Sequence, residues 1–377
     1  MIIAAFSIIT LVYVILIACF AVRFDKVTYF TNEHYDETIQ FTIVIPFRNE
    51  AESLPLLLKS LVALDYSHHL FEIILVNDHS QDNSENIVSE FLSTIPSSLK
   101  IRLLQNTTIS KSPKKDAISL AISKANFDWI ITTDADCIVP KNWLHKFNTF
   151  IPKQETKMIV APVMLNTSQN FLSSFQQLDM LSLQGVTIGA FGMQKPFLSN
   201  GANLCYSKEL FNTLNGYEGN NHLASGDDIF LLEKAIAFDH TKVHYLKHKD
   251  SIVLTSPEDN WNALIAQRVR WASKAKAYKN NFSKLTSFIV LLMNATLVIA
   301  TALAISGVIN HKPMLYLWFI KLNIDLWLIY KSAEFFSKKN VLRFYWISVF
   351  IYPFFTTYIA LKSQIGTYSW KNRTFTK

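Results

Sequence analysis

The chain has 377 residues, of which 50% are hydrophobic, and a formal net charge of +7. Its mean hydropathy of +0.18 is high for a soluble protein, so membrane segments are expected. The basic residues collect beside the apolar stretches, which favours a membrane as the partner and argues against nucleic acid.

The distribution of glycine excludes two classes of nucleotide-binding protein. The first glycine of the chain is Gly185. P-loop NTPases and ordinary dinucleotide-binding domains need glycines that let backbone amides approach the phosphates. Neither loop can be present in the first half of the chain. A nucleotide bound there must be held by side chains and a metal ion.

Four apolar stretches flank one long polar block. Residues 1–22 carry no charge and are long enough to span a bilayer, and Arg23 and Lys26 follow them directly. The positive-inside bias therefore places the following block in the cytoplasm, on the inner face of the cell membrane. The predicted organisation is an anchor, a cytoplasmic domain, C-terminal membrane helices and a basic tail, at residues 1–22, 23–284, 285–361 and 362–377.

The C-terminal stretches give conflicting signals about topology. They cover residues 285–309, 314–330 and 341–361, and the middle one contains Lys321 and Asp325, which are costly against lipid but tolerable against another helix. Three complete crossings would put the basic tail outside, against the positive-inside bias. We predict that one of the three does not cross completely and that the tail stays cytoplasmic.

The polar block alternates strand and helix patterns. Apolar runs predict strands and residues at helical spacing predict the helices between them; the strands are expected at 41–46, 71–76, 101–104 and 129–133, and the helices at 54–62, 84–92 and 114–125. This order predicts an α/β fold with a mostly parallel sheet. Ligands of such sheets collect at the carboxyl ends of the strands.

Several acids stand at those strand ends. Asp78 follows the second strand, and Asp134 and Asp136 follow the fourth with one residue between them. Two carboxylates at that spacing can reach one hard cation, Mg²⁺ or Mn²⁺, although an Asp-rich turn is the simpler alternative. Lys114 and Lys115 open a helix, where paired lysines are usually solvated.

Two later segments carry further candidates. Asp227 and Asp228 begin a helix, where acids are also favoured by the helix dipole alone. Residues 261–278 predict an amphipathic helix with Gln267, Arg270 and Trp271 on one face. Arg and Trp at that position suit either a membrane surface or a diphosphate and a sugar ring.

Five short motifs follow one another in a recognisable order: VIPFRNE at 44–50, Asn77-Asp78, Asp134-x-Asp136, Gly226-Asp227-Asp228 and Gln267-x-x-Arg270-Trp271. With these motifs, residues 41–271 and the flanking apolar segments resemble membrane-embedded family 2 glycosyltransferases. That group includes cellulose, hyaluronan and poly-N-acetylglucosamine synthases and ceramide glucosyltransferase.

The resemblance implies a GT-A fold that binds a nucleotide diphosphate sugar, usually a UDP-sugar. It also implies a role for each matching residue. Asp78 binds the nucleobase or ribose, Lys114 lies near the nucleotide, and Asp134 and Asp136 carry the uridine side and the Mg²⁺ or Mn²⁺ ion. Asp228 is the catalytic base, Gln267 and Arg270 contact the diphosphate, and Trp271 is the acceptor platform. Asp227 departs from the pattern, since polymerising members usually have Glu there.

The expected reaction is a single displacement at the anomeric carbon, which inverts its configuration. A lipid-linked or glycan acceptor at the membrane is favoured over a processive polysaccharide synthase, because four membrane segments are few for a polymer channel. An alternative of another class is a non-catalytic subunit of a glycan export complex that binds sugar nucleotides.

Overall fold

The computed structural model describes residues 2–31, 36–166, 170–365, 367–371 and 373–376. Met1 and Lys377, the outer ends of the predicted anchor and basic tail, lie outside these ranges. The strands are β1 (Phe41–Phe47), β2 (Phe71–Asn77), β3 (Lys100–Gln105), β4 (Trp129–Thr132), β5 (Cys137–Ile138), β6 (Met158–Val160), β7 (Val163–Leu165), β8 (Leu204–Ser207), β9 (Val243–Tyr245), β10 (Val253–Thr255), β11 (Thr367–Trp370) and β12 (Arg373–Thr376).

The α-helices of the described residues include all the predicted ones. They are α1 (Ile2–Arg23), α2 (Leu54–Val62), α3 (Ser84–Thr94), α4 (Pro113–Lys124), α5 (Trp143–Gln154), α6 (Phe171–Gly192), α7 (Lys208–Thr213), α8 (Asp227–Asp239), α9 (Trp261–Ser273), α10 (Asn281–Ile305), α11 (His311–Phe335) and α12 (Tyr345–Ser363). The amphipathic helix expected over residues 261–278 ends at Ser273 and continues as a 3₁₀ turn, Lys274–Ala277.

The chain forms two compact units. The helical unit consists of Met1–Val27, Thr167–Phe197 and Pro257–Lys377, and the sheet unit consists of Thr28–Asn166 and Leu198–Ser256. This division cuts across the predicted block 23–284, because α6 and α9 belong to the helical unit.

The sheet unit is built on a mixed sheet with the strand order β3-β2-β1-β4-β8-β6-β9. β3, β2, β1 and β4 are parallel neighbours, and only β8 runs antiparallel to both strands beside it. All residues of β1 and β2 are buried, as expected for parallel strands covered on both faces. The predicted α/β fold with a mostly parallel sheet is confirmed, and the carboxyl ends of β1, β2 and β4 share one edge.

β1 continues through Pro46 to Phe47, one residue beyond its predicted end. Proline removes a backbone donor and usually stops a central strand. Here β4 pairs with β1 only up to Val44, whose carbonyl accepts from Thr133 N at 3.2 Å. Because backbone groups alternate in direction along a strand, Pro46 points to the side where pairing has already ended. Its missing N–H costs no hydrogen bond.

The helical unit contains a very close helix crossing between α1 and α6. A Cβ atom added to Gly189 would lie 2.6 Å from the carbonyl oxygen of Phe20, and one added to Gly192 would lie 1.9 Å from that of Arg23. Only glycine leaves room for the two backbones at this distance. This contact places α6 in the helical unit, although its residues lie within the predicted block 23–284.

Three helical stretches of the described residues are long and apolar enough to cross a membrane, namely Ile2–Lys26, Asn281–Ile305 and Lys339–Ser363. α11 is equally long as a helix, but it carries Lys321 and Asp325. Lys321 is only 1% exposed and forms an ion pair with Asp325, which also accepts from Tyr13 Oη of α1 at 2.6 Å. The Lys321–Asp325 pair of α11 therefore faces other helices.

Candidate active site

Asp134 and Asp136 lie in a tight turn directly after β4. Cys137 N donates to Asp134 O at 3.2 Å and closes the turn. Asp136 Oδ2 accepts from Thr255 Oγ1 at 2.9 Å. Since Thr255 ends β10, which pairs with β5 directly after Asp136, the small second sheet fixes the direction of this carboxylate.

Lys114 connects two of the predicted segments at the carboxyl edge. Its Nζ lies 2.7 Å from Asp134 Oδ1 and 3.1 Å from Asp227 Oδ2. Burial by itself would lower the pKa of Lys114, but the carboxylates of Asp134 and Asp227 outweigh it and raise that pKa above its usual value. Lys114 is therefore a fixed cation.

The neighbouring Lys115 is also not solvated. It is 1% exposed, and its ammonium donates to the carbonyls of Asn220 at 2.7 Å and Leu223 at 2.9 Å. Those carbonyls belong to the loop that leads into α8. The simpler alternative, in which paired lysines at a helix start are solvated, does not apply here, because each finds acceptors on the segment around Asp227.

The charged cluster formed by Lys114, Asp134, Asp136 and Asp227 carries more negative than positive charge. Burial raises the pKa of Asp134; the Lys114 ammonium opposes that rise, and the carboxylates of Asp136 and Asp227 add to it. The carboxylates of Asp134, Asp136 and Asp227 outnumber the single ammonium of Lys114, and this excess of negative charge favours the arrival of another cation. Asp134 and Asp136 offer the oxygen ligands that Mg²⁺ and Mn²⁺ prefer, so these residues fit a divalent ion.

Protein side chains alone do not complete a metal site in the part of the chain that the structure describes. Within those residues, no group of three or more His, Cys, Asp or Glu side chains could hold a metal ion. An ion at the two carboxylates would take its other ligands from diphosphate oxygens and water, as Mg²⁺ usually does.

Asp228 lies in the first turn of α8, next to Asp227. Its Oδ1 accepts from Ile229 N at 2.7 Å and its Oδ2 from Gly201 N at 3.2 Å. The residue before the helix is Gly226, with φ 86° and no side chain to cap it. Asp227 forms an ion pair with Lys114, so the acids here are not explained by helix capping alone. The half-exposed Asp228 carboxylate is held in a defined orientation.

Asp78 lies at the same edge but is nearly covered. It is 4% exposed, and its Oδ1 accepts from Asn106 Nδ2 at 2.8 Å. Arg48, from the first motif, donates from Nη1 to the carbonyls of Asp78 and His79 at 2.6 Å each. Sequence reasoning missed the roles of Arg48 and Asn106. Both hold the turn after β2, and only the folded turn reveals this.

Gln267, Arg270 and Trp271 lie on α9 of the helical unit and are each partly exposed. Gln267 Nε2 donates to Glu258 Oε1 at 2.6 Å, and the Trp271 ring lies 4.2 Å from the Arg268 guanidinium carbon. Arg268 was not predicted as a functional residue. The available signal was its place four residues after Leu264, on the buried face of an amphipathic helix, where a charge needs a partner.

Comparison with known families gives two overlapping matches. A model described as glycosyl transferase family 2 matches residues 42–212, and one described as glycosyl transferase family group 2 matches residues 129–360. The second match covers more than half of the chain and extends across α10 and α11 into α12.

Two curated relatives illustrate the range of similarity. "Probable glycosyltransferase YdaM" of Bacillus subtilis (strain 168) is 25% identical over 245 residues, which are 64% of this chain and 56% of that protein. An undecaprenyl-phosphate 4-deoxy-4-formamido-L-arabinose transferase of Shewanella sediminis is 36% identical over 104 residues, 27% of this chain and 30% of that protein. The chain thus matches about half or less of these relatives' length.

A solved structure resembles nearly the whole chain. The mannosyltransferase PcManGT from Pyrobaculum calidifontis, in complex with GDP-Man and Mn²⁺, has a TM-score of 0.62 at 17% identity. The likeness covers 94% of this chain and 99% of that chain. At this identity the likeness concerns the fold.

Proposed function

This chain belongs to family 2 of the glycosyltransferases, and from that membership we propose that it transfers a sugar from a nucleotide diphosphate sugar to a lipid or glycan acceptor at a membrane. Its fold is GT-A with flanking candidate membrane helices. The observation that carries the proposal is the charged cluster at the carboxyl edge of the sheet. There Lys114 joins Asp134 to Asp227, and Asp228 is the next residue along α8.

The proposed chemistry uses Asp228 as general base. Its carboxylate takes the proton of the acceptor hydroxyl, whose oxygen bonds to the anomeric carbon of the donor sugar. The bond from that carbon to the diphosphate breaks, and the diphosphate leaves with the electron pair. A single displacement of this kind inverts the anomeric configuration. The half-exposed Asp228 carboxylate, oriented by Ile229 N and Gly201 N, suits this role.

The leaving diphosphate needs positive charge beside it. Lys114 supplies one fixed positive charge next to Asp134. Asp134 and Asp136 would hold Mg²⁺ or Mn²⁺, which when bound neutralises charge developing on the diphosphate. Thr255 keeps Asp136 turned in a single direction for that purpose. The Mn²⁺ named with the Pyrobaculum calidifontis structure supports a divalent ion.

The remaining roles rest on the family resemblance. We assign nucleobase or ribose recognition to Asp78, diphosphate contacts to Gln267 and Arg270, and stacking of the acceptor to Trp271. An indole face and a guanidinium fork suit a sugar ring and a diphosphate respectively. The covered state of Asp78 means that the turn after β2 has to open slightly for direct contact.

The acceptor is assigned to the membrane. The Shewanella sediminis relative is named as an undecaprenyl-phosphate sugar transferase, which supports a lipid acceptor over a growing polymer. The positive residues after α1 support a multi-pass protein of the inner membrane with the transferase site in the cytoplasm.

The test uses membranes that contain the full chain. They are incubated with a panel of labelled UDP- and GDP-sugars, and lipid and polymer products are separated. We expect transfer of the sugar to a lipid. EDTA should abolish this transfer, and membranes with Asp228→Asn should show almost none. A long polymer product would indicate a processive synthase. Donor binding without any transfer would contradict the proposed transferase activity and indicate a non-catalytic subunit.

A further inference from the structure

The polar residues on α6 have no role in the reaction described so far. Gln176 and Asp179 are one turn apart on this helix, and both are almost fully buried. Buried polar groups are costly unless each finds a partner. Both find partners on the segment that begins at Pro257 in the same helical unit, and these partners lead to the Gln267-x-x-Arg270-Trp271 motif.

The first connection is an ion pair. Arg268 is 8% exposed, and its Nε donates to Asp179 Oδ2 at 2.7 Å. The other carboxylate oxygen of Asp179 accepts from Tyr352 Oη of α12 at 2.9 Å. Both oxygens of Asp179 therefore have partners, and the guanidinium has one fixed orientation.

The guanidinium of Arg268 in turn fixes the orientation of two side chains of the motif. Its Cζ lies 4.2 Å from the centroid of the Trp271 ring, which is a cation–π contact. Its Nη1 also donates to Gln267 Oε1. A lysine at position 268 could pair with Asp179, but it could not stack in a plane and donate to Gln267 at the same time.

The second connection runs through Glu258. Gln176 Oε1 accepts from Glu258 N, and Gln176 Nε2 donates to Glu258 O, both at 2.9 Å. The side chain of Glu258 then accepts from Gln267 Nε2 at 2.6 Å. Gln267 is thus held from two directions, and both begin on the same face of α6.

We propose that Asp179 and Gln176 are positioning residues, which act through Arg268 and Glu258 to set the side chains of Trp271 and Gln267. This inference rests on the proposed function for its catalytic consequence, since it assumes that these two motif residues contact the substrates. The geometry itself does not depend on that assumption.

The kinetic test is a double-mutant cycle. Arg268→Lys and Asp179→Asn each lower transfer by up to about a hundredfold, the order of loss that a displaced binding group can cause. Arg268→Lys combined with Trp271→Leu is no worse than the poorer single variant, because the arginine acts through the tryptophan. Independent losses that multiply would overturn the proposal. Asp179→Glu, which keeps the charge, should recover part of the rate.

The matched control is another buried ion pair of the helical unit. Asp325→Asn disrupts the pair with Lys321, which lies 5.8 Å from the ring of Tyr352, the partner of Asp179, but whose described contacts do not include Gln267 or Trp271. This variant should keep transfer near the wild-type level when the membranes contain equal amounts of the variant and the wild-type protein. If Asp325→Asn and Asp179→Asn lose transfer equally, the ion pair has only a structural role and the proposal fails.

A second readout does not depend on activity. The fluorescence of Trp271 is isolated by subtracting the spectrum of Trp271→Phe, and acrylamide measures its access to solvent. We expect lower access in the wild type than when the same subtraction is made in the Arg268→Lys background. Unchanged access would refute the positioning role. Changed access in a protein that transfers no sugar would leave the positioning role standing and refute the proposed function instead.

Discussion

Asp136 offers the most direct test of the metal site, because Thr255 already fixes the direction of its carboxylate. We predict that Asp136→Asn abolishes metal-dependent turnover, since a neutral amide is a weaker ligand for Mg²⁺ or Mn²⁺ than a carboxylate. Turnover is measured during a Mn²⁺ titration. Thr255→Val is the control. This variant should need a higher Mn²⁺ concentration for half-maximal turnover, but its turnover should reach the wild-type level at saturating Mn²⁺. Full turnover of Asp136→Asn, or of the wild type in EDTA, would rule out the metal role.

Asp228 is predicted to act in transfer and not in donor binding. Asp228→Asn should keep the affinity for the donor nearly unchanged, while turnover falls on the order of a hundredfold or more, the range for a lost general base. Binding is measured by calorimetry and turnover with the labelled donor. Asp239→Asn, at the other end of α8, is the matched control. Equal losses of binding and turnover would indicate that Asp228 only stabilises the start of α8.

The raised pKa of Asp134 predicts a pH dependence of metal binding. Above this pKa the carboxylate is charged and binds the ion, and below it the protonated form binds weakly, so metal affinity falls as the pH falls through it. Since burial raises the pKa and Lys114 opposes that rise, removing the lysine raises it further. In Lys114→Gln the fall should therefore begin at a higher pH. Calorimetric Mn²⁺ titrations at several pH values test this. The prediction is contradicted if the affinity of the wild type begins to fall at a higher pH than that of Lys114→Gln.

Individual elements differ in how far local sequence determines them. β1 and β2 are continuous apolar runs, and Leu54, Leu57 and Leu61 mark α2 by their spacing, so this part of the fold could be predicted. β5, β7 and β10 have two or three residues each. They are stable only because they pair with one another, and no local pattern indicates such strands.

The candidate site was predictable to the extent that its residues follow strands. Asp134 and Asp136 were identified because a buried strand ends just before them. The bridge from Lys114 to Asp227 depends on two segments that meet only after folding, and the burial of Arg268 depends on Asp179 in a different helix. Such pairings leave no periodic signal, because each depends on a tertiary contact.

The crossing of α1 and α6 yields a stability prediction. Gly192→Ala should destabilise the helical unit by about 1–3 kcal/mol, the usual cost of overpacking, because its Cβ would meet the backbone of Arg23. Gly185→Ala is the control, since its nearest neighbour is the side chain of Leu328 at 3.0 Å, which can move. Thermal unfolding in detergent compares the two. Equal melting temperatures would contradict the close crossing.

The contacts of the C-terminal tail bear on which side of the membrane the tail lies. β11 packs near α9, and α9 leads through one 3₁₀ turn into α10. The first turn of α10 meets the end of α1, where the rings of Phe282 and Phe20 are 6.2 Å apart. These contacts favour the prediction that the tail lies on the cytoplasmic side, as the positive-inside bias also requires.

Reporter fusions test this topology. A fluorescent protein fused after the tail should be bright and a phosphatase at the same point inactive. Fusions at Asn310, between α10 and α11, serve as the control and should give the reverse pattern. An active phosphatase with a dark fluorophore at the tail would place it outside and refute the prediction.

The glycine contacts of α6 have a practical consequence for anyone who wishes to make a soluble version of this protein. Removing the first hydrophobic helix, or exchanging it for the signal anchor of another protein, would expose Gly189 and Gly192, which contact the backbones of Phe20 and Arg23. The same helix carries Gln176 and Asp179. A truncated protein would therefore lose more than its membrane anchor, and the first helix is better treated as an internal part of the fold whose outer face is apolar.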